Sequence, residues 1–189
     1  IEVWLCKWRM KMAPSKCNYT VFAHRNSTKN KFSFRLFGEE IPHEKTPVSL
    51  GVTFDECLNF ESHVATIRSK CAKRLNVIKI LSHRSWRLSR PTLISIYKSL
   101  IVSVLDYSAF IYPRLADRLK ETIQAIQNNA VRLIFHRSKL EHRSSEELCV
   151  MADLDLVGIR LKETNVKYFE MARKNGNSLI SDLVRVYNE

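Results

Sequence analysis

The sequence contains no paired-aspartate motif and no nucleophile–base pair, so no catalytic centre is legible in it. Closely spaced carboxylates are what two-metal chemistry requires. Five cysteines (Cys6, Cys17, Cys57, Cys71 and Cys149) form no C-x-x-C pair, and no Cys/His cluster has zinc-ligand spacing. No structural metal is expected. An odd cysteine count without a signal peptide points to an intracellular, reducing setting, with thiols acting as small core residues. No apolar run approaches the roughly 20 residues of a membrane span, so no membrane partner is expected. Internal repeats and low-complexity tracts are also lacking, no targeting sequence is expected, and the first residue is Ile rather than Met. That opening is expected of a fragment.

Acid is scarce where base is rich. The formal net charge is +12. Residues 1–60 carry +3, residues 61–140 carry +11 and residues 141–189 carry −2. Between Arg68 and Arg90 stand eight Lys or Arg and no Asp or Glu. A solvated helix face ordinarily mixes signs, so this span reads as a surface for a polyanion, with Arg68, Lys70, Lys73, Arg74, Lys79, Arg84, Arg87 and Arg90 as candidate phosphate contacts. At 45% hydrophobic residues the 189-residue chain has the material for a core.

Periodicity divides the chain near residue 60. Residues 1–12 read as the end of an amphipathic helix, stopped at Ala13-Pro14. Tyr19–Ala23 and Phe32–Phe37 read as a hairpin across the turn material of residues 26–30, and Val48–Phe54 as a third strand. Beyond residue 60 the period lengthens to about 3.6. A helix is expected from Ser62 to Leu81 along Val64, Ile67, Cys71, Leu75, Ile78 and Leu81. Another starts at Pro91 with Ser89 as N-cap and runs through Leu105. Further helices are expected over about 115–135, from Ser144 onward, from Asp155 or Leu156 to about Arg173, and over 178–186. The fold class is therefore α+β and mostly helical, with a small antiparallel sheet first.

Several motifs, in order, carry a resemblance. Trp4, Trp8 and Met12 precede Ala13-Pro14-Ser15-Lys16 and Tyr19-Thr20-Val21-Phe22. Leu50-Gly51-Val52, Asp55, Leu58, Phe60 and His63 follow. Then come Tyr97-Lys98-Ser99-Leu100, Leu105-Asp106-Tyr107-Ser108 and Ile126-Gln127-Asn128-Asn129-Ala130-Val131-Arg132. Together they resemble the end of the palm and the thumb of a Jockey-like reverse transcriptase from a non-LTR retrotransposon (LINE). Ala13 stands where the family has asparagine, and Phe60 where it often has tryptophan. The resemblance implies a palm end over 1–60, a basic helical thumb over 61–140 and a helical extension over 141–189. Lys16 falls at the motif D lysine, which in the family is thought to assist the departing pyrophosphate. Gly51 falls in the primer-grip segment, where a backbone pressed against a strand tolerates no bulky side chain.

The implied partners are an RNA template and a DNA primer. The remaining palm and fingers of the same polyprotein, with the catalytic aspartates expected before Ile1, and an endonuclease domain are implied as well. Magnesium and deoxynucleotides belong to the complete enzyme, which acts in cytoplasm and nucleus; this chain alone holds no cofactor and is expected to be inactive. Other residues read as structural. Trp4 and Trp8 share a helix face and are expected to pack in a core. His63 reads as a local hydrogen-bond partner, Asp106 as a buried hydrogen bond or cap, and Gln127, Asn128 and Asn129 as links between helices. Two other classes fit the residues: a stand-alone basic helical nucleic-acid-binding module, and an inert structural or interaction remnant whose charge is incidental.

Overall fold

In a computed structural model describing residues 1–23, 32–138, 140–174 and 178, the change of period is a change of architecture. The chain divides into two compact units, 1–63 and 64–189. The turn expected at 26–30, the helix stop at 175–177 and nearly all of the last helix expected over 178–186 lie outside the described residues.

In the first unit, α1 spans Glu2–Lys7 and ends well before Pro14, because Arg9 takes a left-handed backbone (φ 52°). The two tryptophans were expected in a core. Instead Trp4 and Trp8 are 57% and 61% exposed, their ring centroids 6.3 Å apart, while the neighbouring Leu5 is buried. The strands also differ from the expected set. Strands β1 (Phe34–Leu36) and β2 (Glu39–Ile41) form one antiparallel hairpin, β3 (Val48–Ser49) and β4 (Val52–Thr53) another. Tyr19 contributes a single parallel bridge to His43, and residues 20–23 form no strand. The reason lies in two dipeptides, Phe37-Gly38 (φ 52° and 82°) and Leu50-Gly51 (φ 47° and 78°). Positive φ at both central residues is what a two-residue type I′ hairpin demands. A bulky apolar residue before the glycine conceals that turn from a reader looking for Asn-Gly or Asp-Gly.

The second unit is helical. α2 spans Glu61–Leu81, beginning in the first unit, and buries Val64, Ile67, Cys71 and Ile78, with Leu75 and Leu81 half-buried. Helix α3 (Arg90–Tyr97) opens as expected: Pro91 lies in the first turn and Ser89 Oγ accepts from the Thr92 amide at 3.3 Å. The expected continuation to Leu105 is interrupted by a π-helical stretch, Lys98–Val102, before α4 (Ser103–Tyr107). Widening the ladder disturbs its carbonyls, and Arg74 of α2 donates to the Leu100 carbonyl.

After a 3-10 segment at Ala109–Arg114, α5 (Asp117–Ile134) buries Leu119, Ile123, Ile126, Gln127, Ala130, Val131 and Ile134 along one stripe. α6 (Ser145–Ala152) carries a complete capping box. Glu147 donates its amide to Ser144 Oγ at 3.2 Å and returns a carboxylate to the Ser144 amide at 3.1 Å. The α6 residues Leu148 and Ala152 pack on Val131. α7 (Val157–Lys174) passes close to Tyr112, and a Cβ on its Gly158 would stand 2.7 Å from the Tyr112 hydroxyl. Only the absence of a side chain permits that approach.

Candidate nucleic-acid interface

The acid-free span begins on α2. A helix turns by about 100° per residue, so Arg68 and Lys79 fall on one flank of the buried stripe, Lys70 on the other and Lys73 near the outer face. All four are exposed. They surround the exposed Val77 and Ile80 rather than forming one line. Arg74 differs, being half-buried and committed to the Leu100 carbonyl. Arg84 and Arg87 are exposed in and after the 3-10 turn Arg84–Trp86, where Arg87 takes a left-handed backbone (φ 49°). Arg90 is exposed at the start of α3, its guanidinium 5.1 Å from the centroid of the Phe135 ring, a cation–π contact. Seven of the eight candidate cations thus reach solvent, and the eighth holds two helices together.

In the first unit, Lys16 is exposed at the end of the 3-10 turn Pro14–Lys16, whose Pro14 is buried. Gly51 sits at the exposed tip of the β3–β4 hairpin. Its lack of a side chain has a local cause, the backbone φ of 78°, independent of any strand pressed upon it. The base of this hairpin is tied to the loop that enters α2. Asp55 accepts from the Phe60 amide at 2.6 Å and the Asn59 amide at 2.9 Å, holding a loop in which Leu58 and Phe60 both have positive φ. Buried His63 accepts from the Thr53 amide through Nδ1 at 3.2 Å, the local role read for it. Gly51→Ala is expected to cost about 1–2 kcal/mol, the penalty of a left-handed L-residue. Faster hydrogen exchange at the Phe54 amide, which donates to the Pro47 carbonyl at 2.9 Å, would register it. Leu50→Asn is expected to slow that exchange, because asparagine tolerates the left-handed region.

The thumb-like motifs resolve into one buried polar network. Tyr97, fully buried, donates its hydroxyl to Gln127 Oε1 at 2.8 Å. Gln127, also fully buried, donates through Nε2 to the Asp155 carbonyl at 2.8 Å and to Cys149 Sγ at 3.2 Å. Arg160 of α7 donates Nη1 to the same Gln127 Oε1 at 3.2 Å and pairs through Nε with Asp106 Oδ1 at 3.2 Å. Beside it, Gln124 accepts from the Val157 amide at 2.9 Å and donates to Asn128, whose Nδ2 donates to Ser145 Oγ at 2.9 Å. Burial drives the Tyr97 phenol well above its ordinary pKa, with the nearby Arg160 opposing. Gln127 and Asn128 join helices as read, whereas Asp106, read as a buried hydrogen bond or a cap, is a half-exposed ion-pair partner of Arg160. Arg160 and Tyr97 were not legible as partners, since 63 residues of sequence separate them.

Asp55 is occupied by backbone amides and Asp106 by Arg160, and among the described residues no three of His, Cys, Asp and Glu come together to hold an ion. No helix among them is long and apolar enough to cross a membrane. The thiols sort by burial. Cys6 is exposed, Cys17 and Cys57 are half-buried, and Cys71 and Cys149 are buried with their pKa values pushed up by loss of water. Because the thiolate is the nucleophile, mass-spectrometric mapping of iodoacetamide labelling at neutral pH is expected to find Cys6 modified first. Cys71 and Cys149 should react only after denaturant is added.

No family model matches the chain, and no solved structure matches it. Two curated relatives do. A Drosophila melanogaster protein described as "Probable RNA-directed DNA polymerase from transposon X-element" is 28% identical over 190 residues, covering 96% of this chain and 20% of that protein. A Bradysia coprophila protein, the "Retrovirus-related Pol polyprotein from type-1 retrotransposable element R1", is 29% identical over 80 residues, covering 42% of this chain and 8% of that protein. The chain spans a fifth or less of either relative's length. Its resemblance to a segment of non-LTR retrotransposon reverse transcriptases is borne out across nearly its whole length.

Proposed function

We propose that this chain, similar to a segment of LINE-type reverse transcriptases, serves within a longer RNA-directed DNA polymerase to hold the primer–template duplex. The observation that carries the reading is the acid-free stretch from residue 62 to residue 105, with Arg68, Lys70, Lys73, Lys79, Arg84, Arg87 and Arg90 all exposed on the helical unit. Point cations facing solvent without interspersed carboxylates suit a phosphate backbone, and contacts of that kind position a duplex without reading its sequence. Residues 61–140 then act as thumb, 1–60 as the end of the palm and 141–189 as an extension.

Lys16 is assigned, as its own proposal, to the motif D position, and the Gly51 hairpin to the primer grip. The remaining palm and fingers of the polyprotein would supply catalytic carboxylates, magnesium and deoxynucleotides, and no step through the metal is assigned to this chain. The test is a titration against an RNA–DNA primer–template, single-stranded RNA and heparin at low and moderate salt. Tighter binding to the hybrid supports the reading. Equal binding to all three, or none, overturns it.

A further inference from the structure

The C-terminal ends of α2 and α5 face each other across an open cleft of about 290 Å³, lined by Lys79, Ser82, His83, Arg84, Leu133 and His136. Two of these carry permanent charge and two are imidazoles, and none is acidic. The two stretches that build the cleft, 62–105 and 122–140, contain no Asp or Glu. No ion pair to Lys79 or Arg84 occurs among the described residues. Helix C-termini attract cations on their own account, which accounts for Lys79 in the last turn of α2. Arg84, His83 and His136, the last just past the end of α5, lie within three residues of the two helix ends. Each end is equivalent to only about half a negative charge, so the opening holds more positive charge than the two ends offset and has no carboxylate to balance the rest.

The donors are also sorted. Ser82 Oγ is taken by the Ile78 carbonyl at 2.7 Å, so it is committed to its own helix. His83 Nδ1 accepts from the Ser85 amide at 3.3 Å and lies 2.9 Å from Ser85 Oγ. That bond fixes the ring and leaves Nε2 as the nitrogen that carries the proton in the neutral imidazole. His136 is set at the end of α5 by a left-handed backbone, φ 53°.

We propose that this cleft is a discrete phosphate site that takes one backbone phosphodiester of bound nucleic acid. Lys79 and Arg84 supply the charge, and His83 and His136 supply N–H donors. An oxyanion is the ligand class that uses every polar group free to serve here, and a cleft of this size also admits the sugar attached to the phosphate. The assignment to nucleic acid, rather than to free phosphate, rests on the duplex-holding reading above.

The experiment follows the histidine ring resonances of the full chain by NMR, during titration first with inorganic phosphate and then with an RNA–DNA hybrid duplex. Wild type is compared with Lys79→Gln/Arg84→Gln, two exposed positions whose change leaves the core intact. The expected result is a joint, saturable shift of His83 and His136 with both titrants, while His43 of the first unit stays still. In the double variant those shifts disappear, hybrid affinity falls roughly tenfold and the slope of log affinity against log salt falls by about one. Normal duplex binding with unmoved His83 and His136, or with a variant equal to wild type, overturns the cleft and leaves the duplex reading standing. Shifts with inorganic phosphate but none with duplex overturn the backbone assignment. If wild type binds no duplex at all, the broader reading falls, and the phosphate titration alone then decides whether the cleft is an oxyanion site.

Discussion

Gln127→Leu is expected to destabilise the helical unit by about 3–5 kcal/mol, the largest effect of any single substitution proposed for this chain. Leucine matches the volume but makes no hydrogen bond. The change strands the Tyr97 hydroxyl, which is fully buried, and the Asp155 carbonyl, and it removes one of the two groups that hold the Arg160 guanidinium. Each stranded buried neutral group costs about 1–3 kcal/mol. Arg160 itself is 20% exposed and keeps Asp106, so its share is moderated by water. Tyr97→Phe provides the contrast. There Gln127 Oε1 still accepts from Arg160, and the expected cost is only about 1 kcal/mol. Urea unfolding followed by far-UV circular dichroism separates the two. A Gln127→Leu cost no larger than that of Tyr97→Phe would mean that the network does not act as a unit.

Charge reversal at Arg68, Lys70 and Lys73 is expected to weaken binding to an RNA–DNA hybrid by two orders of magnitude or more, to on the order of a hundredth of wild-type affinity at low salt. The three residues are exposed on α2, and the exposed Val77 and Ile80 that they surround are left unchanged in the variant. Arg74 is left out of the variant because its guanidinium is bonded to the Leu100 carbonyl; altering it would disturb the π-helical stretch instead of the surface. The same measurement on wild type should show a steep salt dependence. Six phosphate contacts would lower affinity by roughly a thousandfold between 50 and 200 mM salt, and the triple variant should flatten that slope by about three. Unchanged slope and affinity would make the positive charge incidental to function, and the similarity to reverse transcriptases would then record descent alone.

These two results would test different links between sequence and structure. The charge pattern needed no fold to be seen. Arg68 to Arg90 stand together in the chain, and any compact structure must place most of so many cations at the surface, because an unpaired charge is costly to bury. The helices were legible for a similar reason. Ser89 with Pro91 and Ser144 with Glu147 are start signals made within four residues, and both caps form. The apolar stripe of α5 repeats at helical spacing along one segment.

The strands were not legible at the same level. Their register depended on two turns in which Phe37 and Leu50, residues that ordinarily avoid positive φ, precede glycine. Two-stranded hairpins of two or three residues carry too little alternation to announce themselves. The exposure of Trp4 and Trp8 was hidden too, since a shared helix face says which residues lie together and not whether anything covers them.

What the sequence by itself determined is therefore local or additive: the helical majority, the caps, the acid-free basic middle and the resemblance carried by ordered motifs. Tertiary structure decided which of those residues face solvent and which face each other. It turned Arg74 inward to a π-helical carbonyl, joined Tyr97, Asp106, Gln127 and Arg160 across four segments, and brought His136 to the same opening as Lys79 and Arg84. The physical reason is range. Caps and periodicity act over a turn or two of backbone, whereas a buried hydrogen bond or a shared cleft exists only after packing has closed loops of roughly 25 to 60 residues.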